Sequence, residues 1–131
     1  MIVLDTHALV WWAAGDPQLS EPAREAIEGQ LRGGEILVSA ISAWEVAMLV
    51  KGGRLALTMD AAAWLDTLAR IPAVRFVPVD VPVSVLSVEL PGAFHIDPAD
   101  RLIVATARHY AAPLVTADLK IREYPHVRTI W

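Results

Sequence analysis

The chain has 131 residues, no cysteine, 55% hydrophobic side chains and a formal net charge of −4 with a pI near 5.5. That length suits one domain over residues 1–131 with a sizeable core, and the missing cysteines exclude disulfides, cysteine-based zinc sites and thiol catalysis. No apolar run approaches the ~18 residues of a membrane span, and an acid at position 5 without a basic leader does not read as a signal peptide, so a cytoplasmic protein with no membrane partner is expected.

Met1 to Leu4 reads as a short buried strand, and His7 to Ala14 as a helix. Gly15-Asp16-Pro17 breaks the chain. Ser20 caps a second helix to about Leu31, with Glu21-Pro22 in its first turn. Gly33-Gly34 ends it, and Ile36 to Ser39 reads as the second strand. Ser42-Ala-Trp-Glu45 has the form of a capping box and opens a third helix, ended by Gly52-Gly53. Asp60 caps a fourth, in which Ala63, Trp64, Leu68 and Ile71 form an apolar stripe. Arg75 to Val79 is the third strand, and Asp80 caps a short helix from Pro82 to about Glu89. Asp97-Pro98 opens a helix to about Ala111, Leu114 to Thr116 is the fourth strand, and Arg128 to Ile130 a short fifth. Strands alternating with helices predict an α/β sandwich: a central, mostly parallel sheet of four to five strands flanked by helices.

This architecture gives four acids a shared address. Asp5 follows the first strand and Asp118 the fourth, while Glu45 and Asp100 fall in the first turns of helices. Open parallel sheets bind ligands beyond the carboxyl ends of their strands. Carboxylates gathered there repel one another unless cations hold them, which points to Mg²⁺ or Mn²⁺ and hydrolysis by a metal-activated water. Each acid also has an ordinary role: Glu45 completes a capping box, Asp97 is an N-cap, Asp100 favours a helix dipole, Asp5 can cap, and Asp118 can form an Asx-turn. His7, His95, His109 and His126 lack the H-x-x-x-H spacing of a zinc site.

The segments MIVLDTHALVWW, SAWEVA, DPADRLIVATA and LVTADLKI, in this order and spacing, resemble PIN domains and, more narrowly, VapC-type toxins of type II toxin–antitoxin pairs. The resemblance covers nearly the whole chain. It implies a PIN-like fold, a metal-dependent endoribonuclease acting on tRNA or rRNA, a VapB-like antitoxin and a homodimer. It places the catalytic, metal-binding acids on Asp5, Glu45, Asp100 and Asp118. Asp97 is a further ligand candidate, and Thr116 matches a small hydroxyl residue two positions before the fourth acid.

Several residues stand outside that set. Trp11, Trp12, Trp44 and Trp64 read as core, except that adjacent Trp11 and Trp12 cannot face the same way, so one is partly exposed. Lys51, Arg54, Arg101, Lys120 and Arg122 read as solvated surface, with Arg101, Lys120 and Arg122 placed in sequence to contact RNA phosphates. His95 borders the cleft as an ordinary loop histidine. The acidic net charge counts against a polyanion partner and favours a basic protein one. Two alternatives stand beside the nuclease: a receiver-like phospho-acceptor signalling domain, which also carries strand-end carboxylates and Mg²⁺, and a non-catalytic PIN-shaped binding module.

Overall fold

The computed structural model describes all residues from Met1 to Trp131. Five strands, β1 (Ile2–Leu4), β2 (Ile36–Ser39), β3 (Val74–Val77), β4 (Leu114–Val115) and β5 (Thr129–Ile130), form one sheet in the order β3-β2-β1-β4-β5. Every pairing is parallel. Seven helices flank it: α1 (Thr6–Ala14), α2 (Glu21–Gln30), α3 (Ala40–Lys51), α4 (Ala61–Ala69), α5 (Val81–Val88), α6 (Pro98–His109) and α7 (Leu119–Arg122).

The central strands are buried on both faces, as continuous apolar runs in parallel sheets require. Alternation along β1 sends Ile2 and Leu4 into one core with Ala8, Leu9, Ala23 and Ile27, and Val3 into the other with Ile103, Val104 and Ala107. The sheet is therefore the middle of three layers.

Chain order reverses at β1. The chain moves outward through β2 and β3, then returns to the opposite side of β1 for β4 and β5. The switch point thus lies between β1 and β4, the place where such sheets bind ligands. Asp5 and Asp118 follow these two strands.

Two local expectations change. The third helix opens at Ala40, capped by Ser39, whose hydroxyl accepts from the Ile41 amide. Ser42 is consequently no cap but a fully buried residue inside the helix, and Glu45 sits beyond the first turn. The stretch after Asp118 forms α7, too short for a readable helical period; Asp118 caps it by accepting from the Lys120 amide at 2.8 Å.

Candidate active site

Asp5, Glu45, Asp100 and Asp118 line one cleft of about 300 Å³, together with Thr6, His7 and Arg54. It is not the largest opening. A cleft of about 400 Å³ below α6 is lined by Arg108, His126 and Arg128 and holds no carboxylate, so chemistry rather than volume selects the acidic one.

Each carboxylate is aimed by a named partner. Asp5 is almost fully buried. Its Oδ1 caps α1 by accepting from the Thr6 amide at 2.8 Å, and its Oδ2 accepts the Thr116 hydroxyl at 2.7 Å. Thr116 Oγ1 in turn accepts from the Asp118 amide at 3.0 Å. One buried hydroxyl therefore ties the loop after β4 to the end of β1. Thr6 Oγ1 lies 2.6 Å from Glu45 Oε1 and 2.8 Å from Ser42 Oγ. It has one proton, and the shorter contact to a carboxylate is the stronger place for it.

His95 Nε2 stands 2.6 Å from Asp100 Oδ2. The backbone of Asp100 is fixed separately, since its amide donates to Asp97 Oδ1 at 2.9 Å. Asp97 itself is exposed and caps α6; it does not line the cleft. His7 Nε2 accepts from the Ala117 amide at 2.8 Å, so its proton belongs on Nδ1, facing Asp5 Oδ2 at 3.6 Å.

The cleft is short of positive charge. None of the four acids pairs with a lysine or arginine. Burial pushes the Glu45 carboxyl above the usual carboxylate range; Asp5, Asp100 and Asp97 push the same way, against the Thr6 bond that lowers it. Burial likewise raises Asp100, opposed by the His95 bond and reinforced by Asp5, Asp97 and Asp118. An all-oxygen donor set with uncompensated negative charge fits a hard divalent cation such as Mg²⁺ or Mn²⁺. No trio of acidic or imidazole groups already stands at ligand spacing; each carboxylate is held by its own hydrogen-bond partner instead. Magnesium commonly takes one or two carboxylates and completes its shell with water, which suits acids that share a cleft without touching.

Several participants were invisible in sequence. Thr6 and Ser42 orient Glu45, although Thr6 read only as the residue after Asp5. Arg54 is exposed, as its reading as surface expects, and it is also the arginine in the cleft lining. Arg101, expected as solvated surface, is half-buried, and its guanidinium donates to the carbonyls of Ser87, Val88, Phe94 and His95 at 2.8–3.2 Å. It pins the segment that carries His95. Lys120 and Arg122 are exposed on α7. Trp11 and Trp12 are both half-buried; Trp11, Trp12 and Trp64 all pack on the core, and Trp11 also meets His7 and Trp131. Trp44 is 56% exposed, contrary to a core role. No helix is long and apolar enough to cross a membrane.

A PIN-domain family model matches residues 2–127. The chain is 40% identical over 132 residues to ribonuclease VapC22 of Mycobacterium tuberculosis, an alignment covering 99% of this chain and 98% of that protein. Among solved structures, the promoter-bound VapBC2 of Rickettsia felis superposes with a TM-score of 0.72 at 20% identity, over 98% of this chain and 97% of that one. A toxin–antitoxin complex from Klebsiella pneumoniae superposes with a TM-score of 0.67 at 19% identity, over 97% and 95%.

Proposed function

The chain belongs to the PIN-domain family, among its VapC ribonucleases, and we propose that it is a metal-dependent endoribonuclease, the toxin of a type II toxin–antitoxin pair, hydrolysing phosphodiesters of tRNA or rRNA. The observation that carries this reading is the convergence of Asp5, Glu45, Asp100 and Asp118 on one cleft at the switch point, with no lysine or arginine paired to any of them. The 40% identity to a protein named as a ribonuclease supports the same chemistry. PIN membership also displaces the receiver-like alternative.

The four acids would hold Mg²⁺ or Mn²⁺, which when bound neutralises phosphate charge and lowers the pKa of water enough to make it a nucleophile. The chain's own residues prepare that site. Thr116 and the Thr6 amide fix both oxygens of Asp5. The Thr6 hydroxyl aims Glu45, and His95 aims Asp100. Arg54 brings a positive charge to the cleft wall, placed to attract the phosphodiester. Hydrolysis needs water to enter in line as the phosphorus–oxygen bond breaks, with the departing oxygen gaining a proton. Geometry held this tightly before substrate arrives is what makes electrostatic catalysis efficient.

Cleavage of RNA by the wild type and Asp5→Asn, each with and without chelator, tests the reading. Activity should fall by about 100-fold or more in the variant and in chelator, a typical cost of removing a group that stabilises developing charge. Equal activity in all four samples overturns the mechanism, and tight metal binding without cleavage would favour a non-catalytic binding module.

The same unpaired negative charge suits a basic segment of a VapB-like antitoxin, and a homodimer is proposed with it. An antitoxin Arg or Lys entering the cleft would displace the metal and silence the enzyme. A complex that keeps full nuclease activity contradicts that proposal.

A further inference from the structure

His95 has two neighbours. Its Nε2 holds Asp100, and its ring also lines a second cleft of about 280 Å³ formed with Phe94, Tyr124, Lys120 and Glu123. The partition between the two clefts includes Asp118, the acid after β4, as well, because the Lys120 amide donates to Asp118 while Lys120 lines the second cleft. This opening is therefore the immediate neighbour of the acidic site.

Its wall is aromatic and fixed. Phe94 packs 4.2 Å from His95 and 4.7 Å from Tyr124, centroid to centroid. Arg101 holds the carbonyls of Phe94 and His95, and the Tyr124 hydroxyl donates to Pro91 O. With its hydroxyl committed, Tyr124 offers this cleft only its ring. Two charges border the rings, one from α7 and one from the residue that ends it. Lys120 and Glu123 are exposed, and neither takes part in an ion pair, with each other or elsewhere. An aromatic wall whose rings tilt 43° and 49° from Phe94, a free ammonium and a free carboxylate match a ligand with a π-face, an anionic link and edge N–H donors. The volume is below the ~300–1,000 Å³ of drug-sized sites, which suits a single heterocycle.

We infer that this cleft is a base-recognition subsite for one unpaired nucleotide flanking the scissile phosphate, with a preference for guanine. The inference rests on the ribonuclease reading for its substrate class. The base stacks on Phe94 and meets the tilted His95 ring at its edge, as single-stranded RNA uses aromatic side chains. Lys120 contacts the adjoining phosphate. Glu123 accepts from the Watson–Crick edge, where guanine alone presents a ring N–H beside an exocyclic amine, two parallel donors for one carboxylate. Uracil, with carbonyls flanking its one N–H, is the poorest fit.

The test uses the metal-free protein and the four nucleoside 5′-monophosphates, with NMR signals of Phe94, His95 and Glu123 followed during titration. GMP should shift them saturably at the lowest concentration and UMP at the highest. Glu123→Gln keeps the shape but replaces half of the acceptor with a donor, and should weaken GMP about tenfold while leaving UMP nearly unchanged, a usual scale for one lost charge-assisted hydrogen bond. Lys120→Ala should weaken all four alike, and Phe94→Leu should do the same through lost stacking. Absence of saturable shifts with any of the four, or an unchanged GMP preference in Glu123→Gln, overturns the subsite. Failure of the nuclease reading looks different: nucleotide binding would persist while RNA cleavage is absent or indifferent to chelator.

Discussion

At the scale of single residues, the site is a set of carboxylates that the fold makes uncomfortable. Glu45 and Asp100 both have raised affinity for protons, first because they are buried and then because acids face them. The consequence for stability has a definite sign. Their folded-state pKa values stand above the ordinary 4.5 and 3.8, so the folded chain binds protons more tightly than the unfolded one. The resulting penalty is complete above the folded values, and it is relieved as pH falls through them towards the ordinary ones. Glu45→Gln keeps an oxygen for the Thr6 hydroxyl and removes the charge. Without metal, the variant should melt higher than wild type at pH 7, and its advantage should shrink steadily towards pH 4.5. Thermal denaturation in chelator across that range checks this, and a variant less stable than wild type at pH 7 contradicts it. The same residues show what sequence could and could not reveal about the site. Asp5 and Asp118 were legible because a strand end needs only a short apolar run to locate it. The partners that aim the acids were not, because Thr6–Glu45, Thr116–Asp5 and Ser42–Thr6 join positions brought together only by the β1–β4 and α1–α3 neighbourhoods.

At the scale of elements, caps were read well where the signal is local. Ser20, Asp60, Asp80 and Asp97 each accept from an amide three residues on, as their sequence context implied. The start of the third helix is hidden in sequence because Ser42-x-x-Glu45 satisfies the capping-box pattern one turn inside a helix that Ser39 already opens. The role of Arg101 is not legible in sequence because its four carbonyl partners are split between the last turn of α5 and the irregular segment after it, which carries no period to place them. The end of α6 holds a strained residue. Ala111 has φ 51, the one non-glycine residue at positive φ. The Ala112 amide donates back to Ala107 O at 3.0 Å and the Ala111 amide to Arg108 O at 3.1 Å, the pattern that normally ends on glycine. A β-carbon in that conformation costs about 1–2 kcal/mol, and glycine gives part of this back through a freer unfolded chain. Ala111 is exposed, so no packing is lost. Ala111→Gly should therefore raise unfolding free energy by about 0.5–1 kcal/mol in urea. A loss of stability would mean that the methyl group supports the turn.

At the scale of the whole molecule, two well-filled cores hold a strained cleft open. The residues of both cores are almost entirely inaccessible along β1, β2 and β4, so the sheet can keep Asp5 and Asp118 on adjacent strand ends despite their repulsion. That arrangement makes stability and ligand binding opposite sides of one quantity. A cation that binds the folded chain and ignores the unfolded one stabilises it by about 2.7 kcal/mol at 100 times its dissociation constant. For a domain of this size, that amounts to a rise in melting temperature of roughly 10 °C. Saturating Mg²⁺ or Mn²⁺ should produce such a rise in the wild type, and chelator should reverse it. Glu45→Gln then supplies the discriminating comparison. The variant that is favoured in chelator should become the less stable protein in saturating Mn²⁺, because it has lost a ligand while the wild type has lost its repulsion. A crossing of the two melting curves with metal concentration is expected only if the acids serve as a cation site. Parallel curves, with the variant ahead throughout, would mean that the buried charges repel one another without ever sharing an ion.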